Sequence, residues 1–298
     1  MKKIGGIFLS IFLLCGALIA YPFQSATDAT GVATSIYQLY LENGASGELT
    51  LASNVSGYER KEADKFIYDA LVLSSRLLPW ALDANVDYPH DVDPTHFKVK
   101  FKGRELQDQN QEVIAKIDDL ANEASKLPTD VDRIKFINDY IVDNCEYSNA
   151  ATKNPSKYAN AFTTYGCLIE GSAVCEGYAN AVMLFCEALK IPCVKVLGTA
   201  NGSNHVWNSV YLNNRWWMLD TTFNDPNNKK EDSDRYKYFL LDIDTFSEKK
   251  SHTYDTEQFE LSKKIITGHT KGQYEHSVFY DNCELSNAKK GDTLSISE

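Results

Sequence analysis

Apolar residues recur at three- and four-residue steps in several stretches, which is the period of an α-helix with one buried face. The clearest stretch covers residues 59–78, and the helix is expected to stop at Pro79 because proline cannot continue the backbone hydrogen-bond ladder. Residues 107–127 and 130–145 show the same period, and Thr129 is a suitable cap for the second of these helices. The first half of the chain is therefore predicted to be rich in helix.

Apolar and polar residues alternate strictly over residues 95–101, which predicts a half-buried strand. A shorter strand is predicted at 48–52 and a short helix at 31–41. These elements together indicate a small α+β region that leads into helices. No catalytic pattern is found in this half of the chain.

The pattern changes after residue 149. Residues 149–165 are polar and rich in turn formers, which predicts a surface loop. A helix is then predicted from Cys175 to Leu189, followed by strands at 193–197, 205–212 and 215–223. Asn213 and Asn214 separate the last two strands, and asparagine tolerates the positive φ angles of a tight hairpin turn. From Phe259 onward the chain is polar with little pattern, so it is expected either to pack as edge structure or to trail off.

The N-terminus begins Met1-Lys2-Lys3 and continues with an apolar run over residues 4–20. A basic start followed by a short apolar core is typical of a secretory signal. The run is also near the lower limit for a membrane-spanning helix, so an uncleaved anchor is the alternative. We therefore expect a secreted or cell-envelope protein, with membrane contact only through this segment if it is retained.

Composition limits the other possibilities. The chain has 298 residues, of which 43% are hydrophobic and 12% aromatic, enough for a substantial core. Its formal net charge of −11 argues against nucleic acid as a partner and against electrostatic binding to anionic lipid. The predicted division is a signal or anchor at 1–27, a small α+β region at 28–125, a catalytic domain at 126–250 and a C-terminal extension at 251–298.

Seven cysteines are present, and Cys15 lies in the predicted signal. The other six are Cys145, Cys167, Cys175, Cys186, Cys193 and Cys283. An even number outside the cytoplasm is compatible with disulfides, although a catalytic Cys175 would leave at most two bridges. Cys186 and Cys193 lie among apolar residues and are interpreted as buried thiols. No metal-ligand spacing and no calcium-binding loop pattern is found, so neither a metal nor another cofactor is expected.

Cys175 stands at the predicted first turn of its helix. The free N–H groups and the dipole of a helix N-terminus favour a thiolate, and the same N–H groups can bind an oxyanion. A thiolate is the nucleophilic form of cysteine, and a nearby histidine can hold the proton. Taken alone, a cysteine at a helix start is more often a buried structural thiol.

The predicted hairpin places a histidine and an acidic residue close together. If Asn213 and Asn214 form the turn, His205 lies opposite Thr222, and Asp220 lies diagonally from His205 on the same face. An imidazole–carboxylate hydrogen bond is then within reach, and such a bond fixes the tautomer of the histidine. A shift of one residue in the turn would separate the two groups. Each residue also has an ordinary interpretation: His205 as packing beside Trp207, and Asp220 as a strand-end cap.

Three motifs carry this constellation: residues 171–179 (GSAVCEGYA), 205–208 (HVWN) and 216–226 (WWMLDTTFNDP). In this order they resemble the transglutaminase-like superfamily, and most closely its secreted bacterial members related to cytokinesis. The resemblance covers residues 130–241. It implies an α+β fold with a papain/transglutaminase-like core, in which the nucleophile helix packs on an antiparallel sheet.

The resemblance also implies roles for individual residues. Cys175 would be the nucleophile, His205 the base and Asp220 the residue that orients the base. Trp207, Asn208 and Tyr165 are weaker candidates for substrate contact. Enzymes of this kind form a thioester with an amide or peptide substrate and pass the acyl group to water or to an amine. Hydrolysis is favoured because no pattern marks a site for an amine.

Two other functions are considered. A catalytically silent adaptor would use the same fold to bind a cell-wall or division partner, but such relatives typically lack one residue of the triad. A papain-type protease would require a glutamine before the nucleophile for its oxyanion hole, and residues 165–174 contain none. The expected partner is therefore a protein or peptide substrate, with the cell wall as one place where it could be found.

Overall fold

A computed structural model describes residues 29–43, 46–52, 60–79, 82–87, 96–103, 107–225, 232–249, 252–268 and 283–295. The segment on which the export-signal prediction rests lies outside these residues. The helices are α1 (Ala29–Asn43), α2 (Arg60–Ser75), α3 (Gln107–Ala124), α4 (Asp130–Asn144), α5 (Asn149–Lys153), α6 (Thr164–Leu168), α7 (Cys175–Ala188), α8 (Thr221–Asn224), α9 (Ile243–Glu248) and α10 (Thr256–Ile266).

The strands are β1 (Ser46–Ala52), β2 (Leu82–Asp87), β3 (His96–Gly103), β4 (Glu146–Tyr147), β5 (Ser172–Ala173), β6 (Cys193–Ala200), β7 (Ser203–Leu212), β8 (Arg215–Leu219) and β9 (Thr253–Tyr254). Strands β1, β3 and β2 form an antiparallel sheet in that order, and β4 pairs in parallel with β5. The predicted α+β class is confirmed.

The long periodic helices form where the pattern predicts them. Helices α1, α2, α3, α4 and α7 each begin or end within a few residues of the predicted bounds. The hydroxyl of Thr129 accepts the N–H of Asp132, and the Asp132 carboxylate accepts the N–H of Thr129, so the predicted cap is a complete capping box. This cap fixes the start of α4.

The polar stretch 149–165 differs from its prediction as a surface loop. It contains α5, a 3-10 turn at Ala159–Phe162 and the start of α6. Ser148 and Thr163 cap the two short helices through their side chains, and Ala161 and Thr164 are buried. Capping and tertiary contact stabilise helices too short to form alone, and periodicity does not detect these effects.

A four-stranded antiparallel sheet with the order β8-β7-β6-β9 lies beside α7. In the β7–β8 hairpin, Leu212 pairs with Arg215 and Asn208 with Leu219, which is the predicted register. Asn213 and Asn214 have φ angles of 50° and 61°, as a tight turn requires. Strand β8 ends at Leu219 rather than at residue 223, because Asp220 caps the short helix α8.

Later segments cover the outer edge of β8. Trp216 exchanges backbone hydrogen bonds with residues 286 and 288, and Met218 exchanges them with Leu241. The side chain of Lys263 is fully buried, and its ammonium donates to Leu285 O at 2.9 Å and to Asn287 Oδ1 at 2.8 Å. The part of the C-terminal region that the structure describes therefore packs as edge structure.

One hydrophobic core extends from α1 to Ala288. Tyr40 of α1 donates a hydrogen bond to Glu187 of α7, and the Arg76 side chain reaches the carbonyl of Leu197 in β6. These contacts join the N-terminal region to the nucleophile helix and the sheet, and the predicted domain boundaries stay a prediction. Within the described residues, no helix combines the length and apolar character that crossing a membrane requires.

Candidate active site

Cys175 is the first residue of α7 and is partly exposed. Val174 occupies the cap position and makes no side-chain cap hydrogen bond, so the N–H groups of the first turn are not taken by a cap. Glu176 is the acidic residue of this turn. The local sequence thus places an accessible thiol at the positive end of a helix dipole.

The first turn of α7 is held tightly against the segment that precedes it. A Cβ at Gly177 would lie 2.9 Å from the carbonyl oxygens of Ala161 and Thr163 and from the Cβ of Ala173. Further along the turn, the buried Tyr178 hydroxyl donates to the Asp225 carboxylate at 2.5 Å. The glycine and the tyrosine of the GSAVCEGYA motif therefore position the helix that carries Cys175.

His205 enters from β7. It pairs with Gly198 of β6, which presents no side chain on that face. Its Nε2 lies 2.7 Å from Asp220 Oδ2, and Cys175 is close enough to contribute to the raised pKa of the ring. Because Asp220 occupies Nε2, Nδ1 is the ring nitrogen left for the thiol. The structure thus brings together the three residues that the sequence proposed as a triad.

Asp220 uses its two carboxylate oxygens differently. Oδ1 accepts the N–H of Phe223 at 3.0 Å and caps α8, whereas Oδ2 accepts His205. Its backbone N–H donates to Tyr238 O at 3.0 Å. The interpretation of Asp220 as a cap and its interpretation as a partner of His205 are both correct, because each oxygen has its own contact.

The electrostatics favour charged forms of both partners. Burial opposes a positive charge on His205, yet the attraction and hydrogen bond of Asp220, together with the contact with Cys175, raise the pKa of the ring to about 10. Burial likewise opposes ionisation of Asp220, but His205 and the hydrogen bonds from His205, His252 and Phe223 hold the pKa of the carboxyl below its usual range. An ionised Asp220 beside a protonated His205 is the result.

The other cysteines in the described residues differ from Cys175. These five cysteines are all buried, and they and Cys175 are all free thiols. Burial raises the pKa of the Cys167 and Cys186 thiols well above the usual range, which keeps them protonated. Cys186 and Cys193 are buried as predicted. Among these six thiols, only Cys175 combines access with a helix N-terminus and a histidine.

A second histidine, His252, was not expected from the sequence. Its Nε2 lies 3.2 Å from the same Asp220 oxygen that binds His205, and its side chain is fully buried. The atoms of His205, Asp220 and His252 that could bind a metal lie within 4.8 Å of one another. The Nε2–Oδ2 separation of 2.7 Å is a direct hydrogen bond between His205 and Asp220 within this group.

Tyr147 also borders the site without a signal in the sequence. It precedes the N-cap of α5 and pairs with Ala173, two residues before Cys175. Burial and the charges of Cys175 and Asp220 raise the pKa of Tyr147 to about 12, so its hydroxyl keeps its proton at neutral pH. The short parallel pairing of β4 with β5 places it there, and a two-residue strand leaves no periodicity to read.

The three candidates for substrate contact, Trp207, Asn208 and Tyr165, all make contacts within the protein. Trp207 is buried and packs between His205 and Phe246, with ring centroids 5.8 and 5.4 Å away. Asn208 is also buried, and its amide donates to Ala179 O at 3.1 Å, which ties β7 to α7. Tyr165 makes a hydrogen bond with Glu112 of α3. These contacts give each residue a structural role, and substrate contact by the three residues stays a prediction.

Comparison with known proteins gives the following. Residues 118–221 match the family model of the transglutaminase-like superfamily (Transglut_core). Human kyphoscoliosis peptidase is 29% identical over 119 residues, which cover 36% of this chain and 17% of the relative. The mouse kyphoscoliosis peptidase is 26% identical over 189 residues, which cover 57% of this chain and 28% of the relative. The chain thus spans less than a third of these relatives' length.

Two solved structures are also similar. The crystal structure of a TGase has a TM-score of 0.35 and 14% identity, covering 62% of this chain and 53% of that chain. A Cytophaga hutchinsonii protein assigned as a cysteine protease has a TM-score of 0.30 and 19% identity, covering 48% of this chain and 62% of that chain. The match of residues 118–221 is the comparison that supports the transglutaminase-like superfamily.

Proposed function

We propose that this protein is a transglutaminase-like cysteine enzyme that forms a thioester with an amide or peptide substrate and hydrolyses it. The observation that carries the proposal is the arrangement of three groups. A partly exposed thiol begins α7, a histidine from β7 contacts it, and the far nitrogen of that histidine lies 2.7 Å from a buried carboxylate. The nucleophile thus lies beside the base, and the base is hydrogen-bonded to the orienting acid, as nucleophilic catalysis requires.

The chemistry proceeds in two steps. The thiolate of Cys175 attacks the substrate carbonyl, and the resulting oxyanion is held by N–H groups of the first turn of α7. His205 then gives its Nδ1 proton to the leaving amine as the carbon–nitrogen bond breaks, which leaves a thioester. In the second step His205 removes a proton from water, hydroxide adds to the thioester carbonyl, and the thiolate leaves as the carboxylic acid is released.

Hydrolysis is proposed over cross-linking because water is the default acceptor when no sequence pattern marks a site for an amine. We also propose that the protein acts outside the cytoplasm, as do the secreted bacterial proteins related to cytokinesis that the motifs resemble. The basic start and the apolar run over residues 4–20 support this location. Fractionation of the source cells, with N-terminal sequencing of the protein found, tests it, and a cytoplasmic full-length chain would contradict it.

The test of the catalytic proposal is the rate of Cys175 alkylation by iodoacetamide as a function of pH, followed by peptide mass spectrometry. We expect fast alkylation well below pH 8.5, the pKa of an ordinary thiol, and its loss in His205→Ala. Cys186, which is buried and whose pKa is raised by burial, is an internal control that should react slowly. An ordinary thiol profile that His205→Ala leaves unchanged would favour the silent adaptor instead.

Substrate turnover is then measured on a library of peptides that contain glutamine, with and without hydroxylamine. Hydrolysis gives a carboxylate, and aminolysis gives a hydroxamate, so the products separate the two reactions. Since the pKa of His205 is raised to about 10, we expect its proton, and thus acid catalysis, to be lost only as the pH rises through about 10. Cys175→Ala should abolish both products, and a hydroxamate without detectable carboxylate would overturn the preference for hydrolysis.

A further inference from the structure

His252 lies behind the proposed triad and contacts the same carboxylate oxygen as His205. Its Nε2 is 3.2 Å from Asp220 Oδ2, and both side chains are buried. Its Nδ1 is 2.5 Å from the carbonyl oxygen of Lys249. The residue lies just before β9, outside the segment 118–221 that matches the family model.

The two contacts define the protons on the ring. A backbone carbonyl can only accept, so Nδ1 must donate to Lys249 O. An ionised carboxylate also only accepts, so Nε2 must donate to Asp220. If either nitrogen lacked its proton, a lone pair would face an oxygen lone pair inside the protein, and the contact would be repulsive. Both contacts are favourable only for a ring that donates a hydrogen bond from each nitrogen.

Aromatic side chains surround the buried His252 ring. Phe246, Trp207 and Phe223 pack around the ring with centroid distances of 4.3, 5.0 and 5.5 Å. Tyr238 lies 5.8 Å away, and burial together with Asp220 raises the pKa of its hydroxyl, which stays neutral. The ammonium of Lys249 points elsewhere, to Lys237 O. Among the residues that the structure describes, Asp220 and, beyond it, His205 are thus the charged groups that face His252.

We propose that His252 is a positioning residue whose fixed positive charge anchors Asp220 and balances the charge of the reactive thiolate state. The proposal rests on the proposed function of Cys175 and His205. In that state Cys175 and Asp220 are negative while His205 and His252 are positive, so the four groups are neutral together. Without His252 the group carries one net negative charge, which disfavours the thiolate in a site of low polarity.

The test compares three variants by the pH dependence of Cys175 alkylation. His252→Gln keeps a neutral N–H donor at the position of Nε2 but removes the charge. His252→Phe keeps a ring and removes both. Phe246→Leu is the matched control, because Phe246 packs on the His252 ring and its side chain has no polar atom that could bind Asp220.

We expect the pH of half-maximal alkylation to rise by about one unit in His252→Gln, which is about a tenfold slower reaction on the acid side. His252→Phe should show at least the same rise, and Phe246→Leu should keep the wild-type midpoint. A His252→Gln profile equal to that of the wild type would overturn the role of the charge. A wild-type profile that does not depend on His205 would overturn the proposed function itself and this inference with it.

A second measurement needs no variant. In protein labelled with ¹⁵N at histidine, both ring nitrogens of His252 should show the shifts of protonated nitrogens at neutral pH. The resonance is assigned by its loss in His252→Gln or, if that variant does not fold, by its contacts with the Phe246 ring. A neutral tautomer at His252 would overturn the proposal whatever the alkylation rates show.

Discussion

At the scale of single residues, Asp220 shows how one side chain serves the fold and the proposed chemistry together. One oxygen caps α8 through the N–H of Phe223, and the other receives His205 and His252. The two roles can be separated by substitution, since asparagine is a good helix cap but carries no charge. Activity and stability should therefore respond differently at this position.

In Asp220→Asn we expect an activity loss of about 10²- to 10⁴-fold and a smaller loss of stability than in Asp220→Ala, because the helix cap is kept. The asparagine amide donates to His205 Nε2 and places the proton of a neutral ring on Nδ1, so the ring can no longer accept a proton from Cys175. Asp220→Ala should show a similar activity loss and should also lower the free energy of unfolding by about 1 kcal/mol or more, because the cap is lost. Equal loss of stability in both variants, measured by urea unfolding, would contradict this separation.

The residues of the site were only partly predictable. Cys175, His205 and Asp220 could be proposed because the turn at Asn213 and Asn214 fixes the register of one hairpin. His252 could not, because its contact depends on the path of the chain between α9 and β9, which no local pattern determines. The burial of Trp207 and Asn208 was not predictable either, because β7 is buried on both faces at these positions.

At the scale of elements, the start of α7 is held by close backbone packing. A Cβ added at Gly177 would lie only 2.9 Å from three neighbouring atoms. Two of these atoms are backbone carbonyl oxygens. A backbone carbonyl cannot move aside as a side chain can. The position of the nucleophile therefore depends on the 3-10 turn at Ala159–Phe162 and on the segment that follows it.

In Gly177→Ala we expect a loss of about 1–3 kcal/mol in the free energy of unfolding, although alanine ordinarily favours a helix. The added methyl group should tilt the first turn and slow alkylation of Cys175. Gly291→Ala is the control, because Gly291 has a φ of 102° but no atom within 4 Å of the added Cβ. It should cost about 1 kcal/mol through backbone strain and leave Cys175 unaffected. Unchanged stability in Gly177→Ala would show that this packing is not tight.

Elements were predictable where a period repeats often enough. Helices of fourteen or more residues and the strands β1, β3, β6 and β7 follow from their patterns. The short helices between residues 149 and 168 do not, because caps and tertiary contacts stabilise them instead. The early end of β8 has the same origin, since Asp220 starts a helix where the alternation continues.

At the scale of the whole molecule, hydrogen bonds from Lys263 hold the C-terminal segment 283–295 beside the sheet. Its buried ammonium donates to Leu285, Asn287 and Glu260, and the segment in turn covers the edge of β8 at Trp216. An uncovered edge strand would expose unpaired N–H and C=O groups. The Lys263 side chain thus helps to keep the edge of the sheet that carries His205 covered.

Lys263→Met keeps most of the apolar stem and removes the charge, so we expect a loss of about 2–3 kcal/mol in the free energy of unfolding. Limited proteolysis should cut within residues 283–295 faster than in the wild type. Lys264→Met, one residue along and partly exposed, is the matched control and should change the free energy by less than about 0.5 kcal/mol. A Lys263→Met protein as stable as the wild type would show that these hydrogen bonds are dispensable.

The order of these parts along the chain has a consequence for biosynthesis. The ribosome delivers Cys175 first, then His205 and Asp220, then His252, and the segment that covers β8 last. A nascent chain therefore carries its thiol before the base, the acid and the second histidine exist to ionise it. Reactivity appears only when late residues have arrived, so the growing polypeptide is protected from its own nucleophile while it is still unfinished.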